Sequence, residues 1–502
     1  MSLHLAYRYL ALELCRAGFP VLRVDYHGTA DSGGGPREPQ RLRAWLDSLH
    51  AGCDYLKQRA GVSEITAFGA HFGGTLAALL AAERADVTEL VLWGPFLRGR
   101  DFLRSAKAFA RLAGGNPEKH RPQDWQEGDL EVVGFLHTAE TVDSLQAIDL
   151  RDALQGGSLQ RVCILEWDDH ADSSQLVAHC REQGIEVDYV DHPIDSSEAC
   201  IQRQAVPRAI IEKCRVFLAP HSEQLETSGC PGNRLMTEVN LTGKHSRDGI
   251  AEAVEYSGPQ KQIFSIVTRP NDSDRSRGPW IIIVNGGNNH RCGINRNHTE
   301  WARIWADKGF TVVRMDIRGL GDSPPQDEAN LNRLYRVATR DDIRMIMDSV
   351  QARYGIDQFI VGGLCAGAFQ AMQAARKDRR VVGLWLVELL RFYHHDHHNP
   401  IRRLRKLRRI VADKLKIRTT IFAPPLARWL QNLNARGAKT LVVYQGKQSI
   451  LEDFLAEAAH APSQLENCSL HLLVESNHIV SPLHGQDELC AVLSEWLTRQ
   501  VC

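Results

Sequence analysis

The sequence lacks the features that would direct a chain to a membrane, to nucleic acid or to an oxidising compartment. It has no apolar run of about 18 residues or more, and its start does not combine a basic segment with an apolar one, so neither a membrane span nor export is predicted. A formal net charge of −1 gives no field to attract nucleic acid. The 12 cysteines include no C-x-x-C pair, which favours reduced thiols in a cytoplasmic protein over a disulfide framework.

The chain is too long for one ordinary core. Its 502 residues, of which 43% are hydrophobic and 24% charged, predict a globular protein with two domains. A segment rich in proline, glycine and serine separates them. We therefore predict a first domain over residues 1–220, a linker over 221–234 and a second domain over 235–502.

A long-period repeat relates the two halves. Residues 18–32 and 309–323 share the pattern G-F-x-V-x-R-x-D-x-x-G-x-x-D-S. A period this long indicates duplicated domains rather than a solenoid. In both copies the pattern follows a predicted helix and begins with a predicted strand, which in the first half covers residues 20–26. No residues precede that first helix to form an earlier strand, so we expect the first domain to be degenerate or truncated.

The second half contains a sharp strand–turn–helix segment at residues 359–375. An apolar strand leads into the pattern G-x-C-x-G, with Gly363 and Gly367 around Cys365, and a helical pattern follows. Such a turn, the nucleophile elbow, needs glycines because a Cβ would clash with its tight backbone. The helix N-terminus favours a thiolate, so Cys365 is the candidate nucleophile. A buried structural cysteine would give the same pattern.

The first half has the same turn with a different apex. Residues 65–74 keep the glycines, but His71 stands where the second half has Cys365. Histidine is rarely the nucleophile in acyl transfer, and the residues that follow supply no convincing base, although Asp168 and Asp169 after the strand at 163–165 leave an acid position open. We therefore predict that the first domain is not catalytic.

Two further groups are expected to complete the site. A glycine pair follows the strand at 280–284, so N–H groups of Gly287 or Asn288, with that of Ala366, would form an oxyanion hole. A plain turn is the alternative for the glycine pair. His478 lies between the last predicted strand and the last helix, where a general base is expected.

The carboxylate that would orient His478 is less clear from the sequence. The strand at 440–444 should lead to it, and the nearest carboxylates after that strand are Glu452 and Asp453. We take Glu452 as the first choice and Asp453 as the second. A dyad without an acid is the alternative.

Two polar segments have the composition of lids over such a site. They are residues 98–159 in the first half and about 391–437 in the second. The second contains the histidine cluster 394–398, for which a solvated segment is favoured over a metal site, so we expect no metal or other cofactor. It also contains a basic amphipathic stretch at 402–416, interpreted as a solvated face or as a surface for an acidic acyl carrier protein.

The chain resembles the α/β-hydrolases, and within them the serine-aminopeptidase and lysophospholipase-like proteins, especially the hydrolases associated with exosortase systems. The resemblance rests on residues 285–293 and 318–323 and on the order Cys365, carboxylate, His478. It implies an α/β fold with two tandem α/β-hydrolase domains, each a mostly parallel doubly wound sheet with a lid insertion. Cysteine at position 365 departs from the usual serine but occurs in dienelactone hydrolase-like enzymes and some thioesterases.

The expected function is acyl chemistry through an acyl-enzyme. The substrate would be a small-molecule or carrier-bound ester or thioester, and the acyl group would pass to water, to another nucleophile or into a ring, in a biosynthetic setting that the resemblance suggests. Two alternatives stay open. The protein could be a non-catalytic binding or scaffold module, or a C–C bond hydrolase.

Overall fold

The computed structural model describes most of the chain in two compact units. The units are Met1–Leu235 and Met236–Cys502, called here the first and second unit. The described residues are 3–112, 121–122, 124–167, 173–192, 206–222, 238–243, 246–272, 278–327, 330–336, 338–389, 425–446, 449–459, 465–474 and 476–501. The expected linker 221–234 lies outside them, except for its first two residues.

The first unit is a small parallel sheet with helices. Its elements are α1 (His4–Arg16), α2 (Arg41–Ala60), β1 (Ile65–Ala70), α3 (Phe72–Glu83), β2 (Val87–Trp93), α4 (Gly99–Leu112), β3 (Leu130–Val132), β4 (Phe135–His137), α5 (Ala139–Gln146), α6 (Leu150–Ala153), β5 (Arg161–Leu165), α7 (Ser174–Glu182), β6 (Glu186–Val190) and α8 (Arg208–Ser222). In the described residues the main sheet has 4 strands in the order β1-β2-β5-β6, all parallel.

The second unit has a larger mixed sheet. Its elements are β7 (Glu238–Gly243), β8 (Ser246–Ser257), β9 (Ile263–Pro270), β10 (Trp280–Val284), α9 (Asn297–Asp307), β11 (Val312–Met315), α10 (Thr339–Tyr354), β12 (Phe359–Leu364), α11 (Ala366–Ala375), β13 (Val381–Val387), α12 (Pro425–Ala435), β14 (Lys439–Gln445), α13 (Ser449–Ala458), β15 (Cys468–Leu473) and α14 (Leu483–Val501). The described sheet has 9 strands in the order β15-β14-β13-β12-β10-β11-β9-β8-β7. Strands β10 to β15 run parallel, and β7 to β9 add an antiparallel edge.

The strand predicted over residues 20–26 does not form. These residues follow α1 as irregular backbone. In the second unit the same sequence pattern starts in β11, which pairs with β10 and β9 and not with β12. The described part of the first unit contains no counterpart of β9 or β10, so this segment has no neighbouring strand with which to pair.

The segment 98–159 is more regular than its composition predicted. It contains the helices α4 to α6 and the short hairpin β3–β4, inserted between β2 and β5. Of the corresponding segment at about 391–437 in the second unit, residues 391–424 lie outside the described part, and α12 occupies the rest of it up to residue 435. The histidine cluster and the basic stretch therefore also lie outside the described residues.

The central strands of the second unit are buried on both faces. Every residue of β10 and β12 is buried, as expected for parallel strands covered by helices on either side. Helix α11 is likewise buried along its whole length. The carboxyl ends of β10, β12 and β13 thus meet on a rigid support at one edge of the sheet. Within the described residues, no helix has the length and apolar composition needed to cross a bilayer.

Candidate active site

Cys365 occupies the apex of a strained turn between β12 and α11. Its backbone has φ 56° and ψ −109°, outside the regions that residues with a side chain ordinarily adopt. Its N–H donates to the carbonyl of Val387 at 2.8 Å, which ties the apex to β13. A Cβ on Gly363 would lie 2.7 Å from the carbonyl carbon of Gly367, and one on Gly367 would lie 2.6 Å from the carbonyl oxygen of Asn285. Both positions therefore require glycine, as the motif predicts.

His478 is held in a short, internally bonded loop between β15 and α14. The N–H of Ser481 donates to Asn477 Oδ1 at 3.0 Å, and Asn477 Nδ2 donates to Ser481 Oγ at 2.7 Å. Val480, buried in the core, has φ 51°, and its N–H donates to the Asn477 carbonyl at 2.8 Å. These contacts fix the loop, and they bring the imidazole to the sulfur of Cys365 in a side-chain hydrogen bond.

The carboxylate beside His478 is Glu388, which the sequence analysis did not select. His478 Nδ1 lies 3.1 Å from Glu388 Oε2, and the Glu388 side chain is fully buried. Its other oxygen accepts the N–H of Gln445 at 2.6 Å. Glu388 directly follows β13 with φ 51°. Because β13 pairs with β12, the residue that follows β13 lies beside Cys365. A carboxylate directly after the predicted strand 382–387 was therefore the sequence feature that could have identified Glu388.

The expectation that Glu452 orients His478 is therefore corrected. Glu452 is exposed on α13, and the hydrogen-bonded acid is Glu388 instead. The carboxylate that contacts His478 directly follows β13 and not β14, the strand after which it was predicted. The side chain of the second choice, Asp453, lies outside the described residues.

Tyr335 is a second residue that the sequence analysis missed. Its hydroxyl lies 3.3 Å from Cys365 Sγ. It comes from the irregular segment 330–336, which carries no motif, so only the folded chain places it near the elbow.

The sulfur and the imidazole favour their charged forms in each other's presence. Burial opposes the thiolate, but hydrogen bonds from His478, Tyr335 and the N–H of Ala366 outweigh it, so the pKa of Cys365 lies below its ordinary value. Hydrogen bonds to Cys365 and then to Glu388 raise the pKa of His478 to about 9. Both shifts have the direction expected for a thiolate beside an imidazolium.

Two other thiols of the second unit differ in this respect. Burial raises the pKa of Cys468 and of Cys490 to about 11. Among these cysteines, the conditions for a reactive thiolate are met at Cys365.

The predicted oxyanion residues lie at the same edge of the sheet. Ala366 is the first residue of α11, fully buried, with its N–H directed at the sulfur. Gly287 (φ 57°) and Asn288 follow β10, whose last residue pairs with Gly363. The loop is braced by Asn285, which donates to the Asn289 carbonyl at 3.0 Å.

The first unit has the same turn with different side chains around it. His71 has φ 56° and ψ −129°, and its N–H donates to Trp93 at 2.7 Å, as that of Cys365 does to Val387. The counterpart of Glu388 is Gly94, which has φ 57° and bonds the next strand in the same way. The acid is therefore missing at this position.

An aromatic side chain fills the space that the acid would need. A Cβ on Gly94 would lie 2.4 Å from Cβ of Trp167, and the Trp167 ring packs against the His71 ring at 4.6 Å. Phe96 packs against His71 at 4.8 Å. In the described residues His71 thus belongs to an aromatic cluster rather than to a triad.

A metal site is not apparent in the described part of the chain. There, no group of three or more histidine, cysteine or acidic side chains is arranged to hold an ion.

Comparisons with known proteins match each half of the chain to a hydrolase family. Residues 4–153 match the model described as serine aminopeptidase, S33, and residues 279–449 match that described as alpha/beta hydrolase fold. A search among curated proteins gave no match.

Solved structures of similar fold each cover about half of the chain. A thermophilic esterase from Thermogutta terrifontis, with malate bound, is 18% identical over 53% of this chain and 99% of its own, with a TM-score of 0.32. An esterase of Pyrococcus furiosus is 12% identical over 52% and 91%, with a TM-score of 0.33. An α/β hydrolase of Penicillium is 18% identical over 52% and 95%, also with a TM-score of 0.33.

Each unit matches its own family model, and each has an elbow between a buried strand and a helix. The chain therefore belongs to the α/β-hydrolase superfamily and carries two of its domains in tandem.

Proposed function

We propose that the second unit is a cysteine-dependent acyl hydrolase or acyltransferase that acts on an ester or thioester through an acyl-enzyme. The observation that carries this proposal is the chain of contacts from Cys365 through His478 to Glu388. A nucleophile, a base and a buried acid in this order are what acyl transfer requires.

In this proposal each group has one role. Glu388 accepts the Nδ1 proton of His478 and keeps the ring oriented, which leaves Nε2 for the sulfur. The thiolate of Cys365 attacks the carbonyl carbon, a C–S bond forms, and the carbonyl electron pair moves to oxygen. N–H groups of Ala366 and of the Gly287–Asn288 loop, at the same edge of the sheet, would stabilise that oxyanion.

The reaction then divides into two proton transfers through His478. As the tetrahedral intermediate collapses, the imidazolium gives its proton to the leaving alcohol or thiol, and an acyl-cysteine remains. The neutral imidazole next takes a proton from water or from another nucleophile, which attacks the thioester and restores the thiolate. An acceptor within the acyl group itself would give a ring.

The first unit takes no part in this chemistry in our proposal. It has histidine at the elbow, glycine at the acid position and a tryptophan in the space between them. These features leave a non-catalytic, structural role for it.

The test is capture of the acyl-enzyme. The full chain is incubated with a panel of acyl thioesters, both free and bound to an acyl carrier protein, and analysed by intact mass and peptide mapping. We expect an acyl adduct on Cys365 in the wild type and none in Cys365→Ala. The matched control is Cys490→Ala, which removes a thiol whose pKa burial raises to about 11 and should leave the adduct unchanged.

Two outcomes would decide against the proposal. Turnover near the wild-type rate in Cys365→Ala would exclude the acyl-enzyme. Equal iodoacetamide labelling of all accessible thiols, unaffected by His478→Ala, would favour the binding or scaffold alternative. Product analysis with a diketone substrate separates an esterase from a C–C bond hydrolase.

A further inference from the structure

The sulfur of Cys365 has one more hydrogen-bond donor than the proposed mechanism uses. Besides His478 and the N–H of Ala366, the hydroxyl of Tyr335 lies 3.3 Å from it. At sulfur, with its large radius, this distance is within hydrogen-bonding range. When the sulfur is a thiolate it can only accept, so Tyr335 is the donor.

The position of Tyr335 is set by the backbone and by packing. Its φ is 59°, a left-handed conformation that a residue with a bulky side chain rarely adopts. Its ring meets that of Phe369 edge to face at 5.5 Å, and Phe369 lies on the helix that Cys365 begins. Close by, the N–H of Asn332 donates to the Gly319 carbonyl at 3.1 Å. The hydroxyl is thus held relative to the sulfur by elements that do not depend on substrate.

We propose that Tyr335 is a further catalytic residue, whose hydroxyl stabilises the thiolate of Cys365 in the resting enzyme. This inference rests on the proposed function, because it assigns Tyr335 to the same nucleophile. Tyr335 keeps its proton throughout: it donates a hydrogen bond to the thiolate, and this bond weakens when the C–S bond forms and the sulfur becomes neutral.

Such a donor has two opposite effects on reactivity. It increases the fraction of sulfur that is thiolate at a given pH, and it lowers the intrinsic nucleophilicity of that thiolate. Loss of the hydroxyl should therefore slow alkylation at low pH, where little thiolate remains, and accelerate it at high pH, where the thiolate is fully formed. A residue that only maintained the local fold would not produce this crossing.

The experiment is the rate of iodoacetamide alkylation of Cys365 as a function of pH. It uses the full chain and quantifies the peptide that contains Cys365 by mass spectrometry. In Tyr335→Phe we expect the midpoint of the curve of alkylation rate against pH to rise by about one pH unit, because one hydrogen bond to a charged group is lost. Compared with the wild type, the alkylation rate of Tyr335→Phe should be about threefold lower at pH values below both midpoints and about threefold higher at pH values above both.

The matched control removes a tyrosine hydroxyl elsewhere in the second unit. Tyr354 donates to Glu255, away from the elbow, so Tyr354→Phe should leave the midpoint unchanged. A midpoint in Tyr335→Phe equal to that of the wild type would overturn the inference.

A second pair of variants tests the same point without a change of shape. With 4-methylphenylalanine at position 335 the ring keeps its length but has no donor, whereas 4-aminophenylalanine restores an N–H donor. We expect the raised midpoint with the first and a midpoint near the wild-type value with the second. Equal midpoints in the two would also contradict the inference, even if Tyr335→Phe failed to fold.

The result is separable from that of the proposed function. If His478→Ala shifts the alkylation midpoint and Tyr335→Phe does not, the ion pair stands and the role of Tyr335 fails. If neither variant shifts it, the proposed nucleophile itself is wrong.

Discussion

At the scale of single residues, the proposed mechanism depends on the buried carboxylate of Glu388, which lies 3.1 Å from His478 Nδ1. Glu388→Gln keeps the volume and the bond from the Gln445 N–H but removes the charge that holds the His478 imidazolium. We expect kcat/KM to fall about 100-fold, within the range for loss of general acid–base support. The measurement is steady-state kinetics with the thioester identified by mass spectrometry.

The control for this variant is the carboxylate that the sequence favoured. Glu452→Gln removes the charge of an exposed side chain on α13 and should leave kcat/KM within about twofold of the wild type. A large loss in Glu452→Gln together with normal activity in Glu388→Gln would reverse our assignment of the acid.

The charge state of the pair predicts a bell-shaped pH profile. On the acid side, activity falls when the thiolate is protonated, and because the pKa of Cys365 is lowered this limb should lie below the ordinary thiol range. On the basic side, activity falls as His478 loses its proton at about pH 9, since the neutral ring cannot protonate the leaving group.

Measurement of kcat/KM against pH tests both limbs. In Glu388→Gln the basic limb should move to lower pH, because Glu388 contributes to the raised pKa of His478. A profile that still rises above pH 9 in the wild type would contradict the ion pair.

Part of the candidate site was predictable from the sequence, because some of its residues lie in or next to short sequence patterns. The elbow needs two glycines next to one nucleophile, so Cys365 is found from a short pattern, and His478 follows from its place before the last helix. Glu388 reaches His478 because β13 pairs with β12, and Tyr335 reaches the sulfur from an irregular segment. Contacts of that kind are set by the fold and leave no periodic pattern.

At the scale of secondary-structure elements, the elbow depends on the absence of side chains at two positions. In Gly363→Ala the added Cβ would meet the backbone of Gly367 at 2.7 Å and the carbonyl oxygen of Val284 at 3.0 Å, and backbone cannot move aside as a flexible side chain can. We expect destabilisation by about 3 kcal/mol or more.

Urea unfolding of the full chain, followed by tryptophan fluorescence, measures this change. Gly446→Ala is the control, because a Cβ there meets nothing within 4 Å. Gly446→Ala should change the urea midpoint little. Equal shifts in the two variants would show that Gly363 is not required for the close backbone approach at the elbow.

Strand pairing explains why the strand predicted over residues 20–26 does not form. Residues 20–26 belong to the repeated pattern that contains β11 in the second unit. A strand, however, forms only where it can pair with neighbouring strands. Without counterparts of β9 and β10 in the described first unit, the backbone of this segment has no sheet to join. The resemblance between the halves therefore predicted the fold class correctly and overstated the extent of the first sheet.

At the scale of the whole molecule, the two units share one elbow geometry but differ in the side chains around it. Both elbows have the same strained backbone and the same bond to the neighbouring strand. They differ at the apex, at the acid position and in what fills the space between. Retention of the strained turn in the first unit is explained by packing, since His71 is an integral part of an aromatic cluster with Trp167 and Phe96.

This comparison predicts that the chemistry resides in one unit. His71→Gln removes the only side chain at the first elbow that could act as nucleophile or base, and it should leave kcat/KM within about twofold of the wild type. The combined variant His71→Cys with Cys365→Ala should be inactive, because a thiol at position 71 has Gly94 where an acid would be and Trp167 against it. Both are assayed on the full chain with the same thioester. Activity above background in the combined variant would show that the first unit retains a working base, and would place a second catalytic centre in the chain.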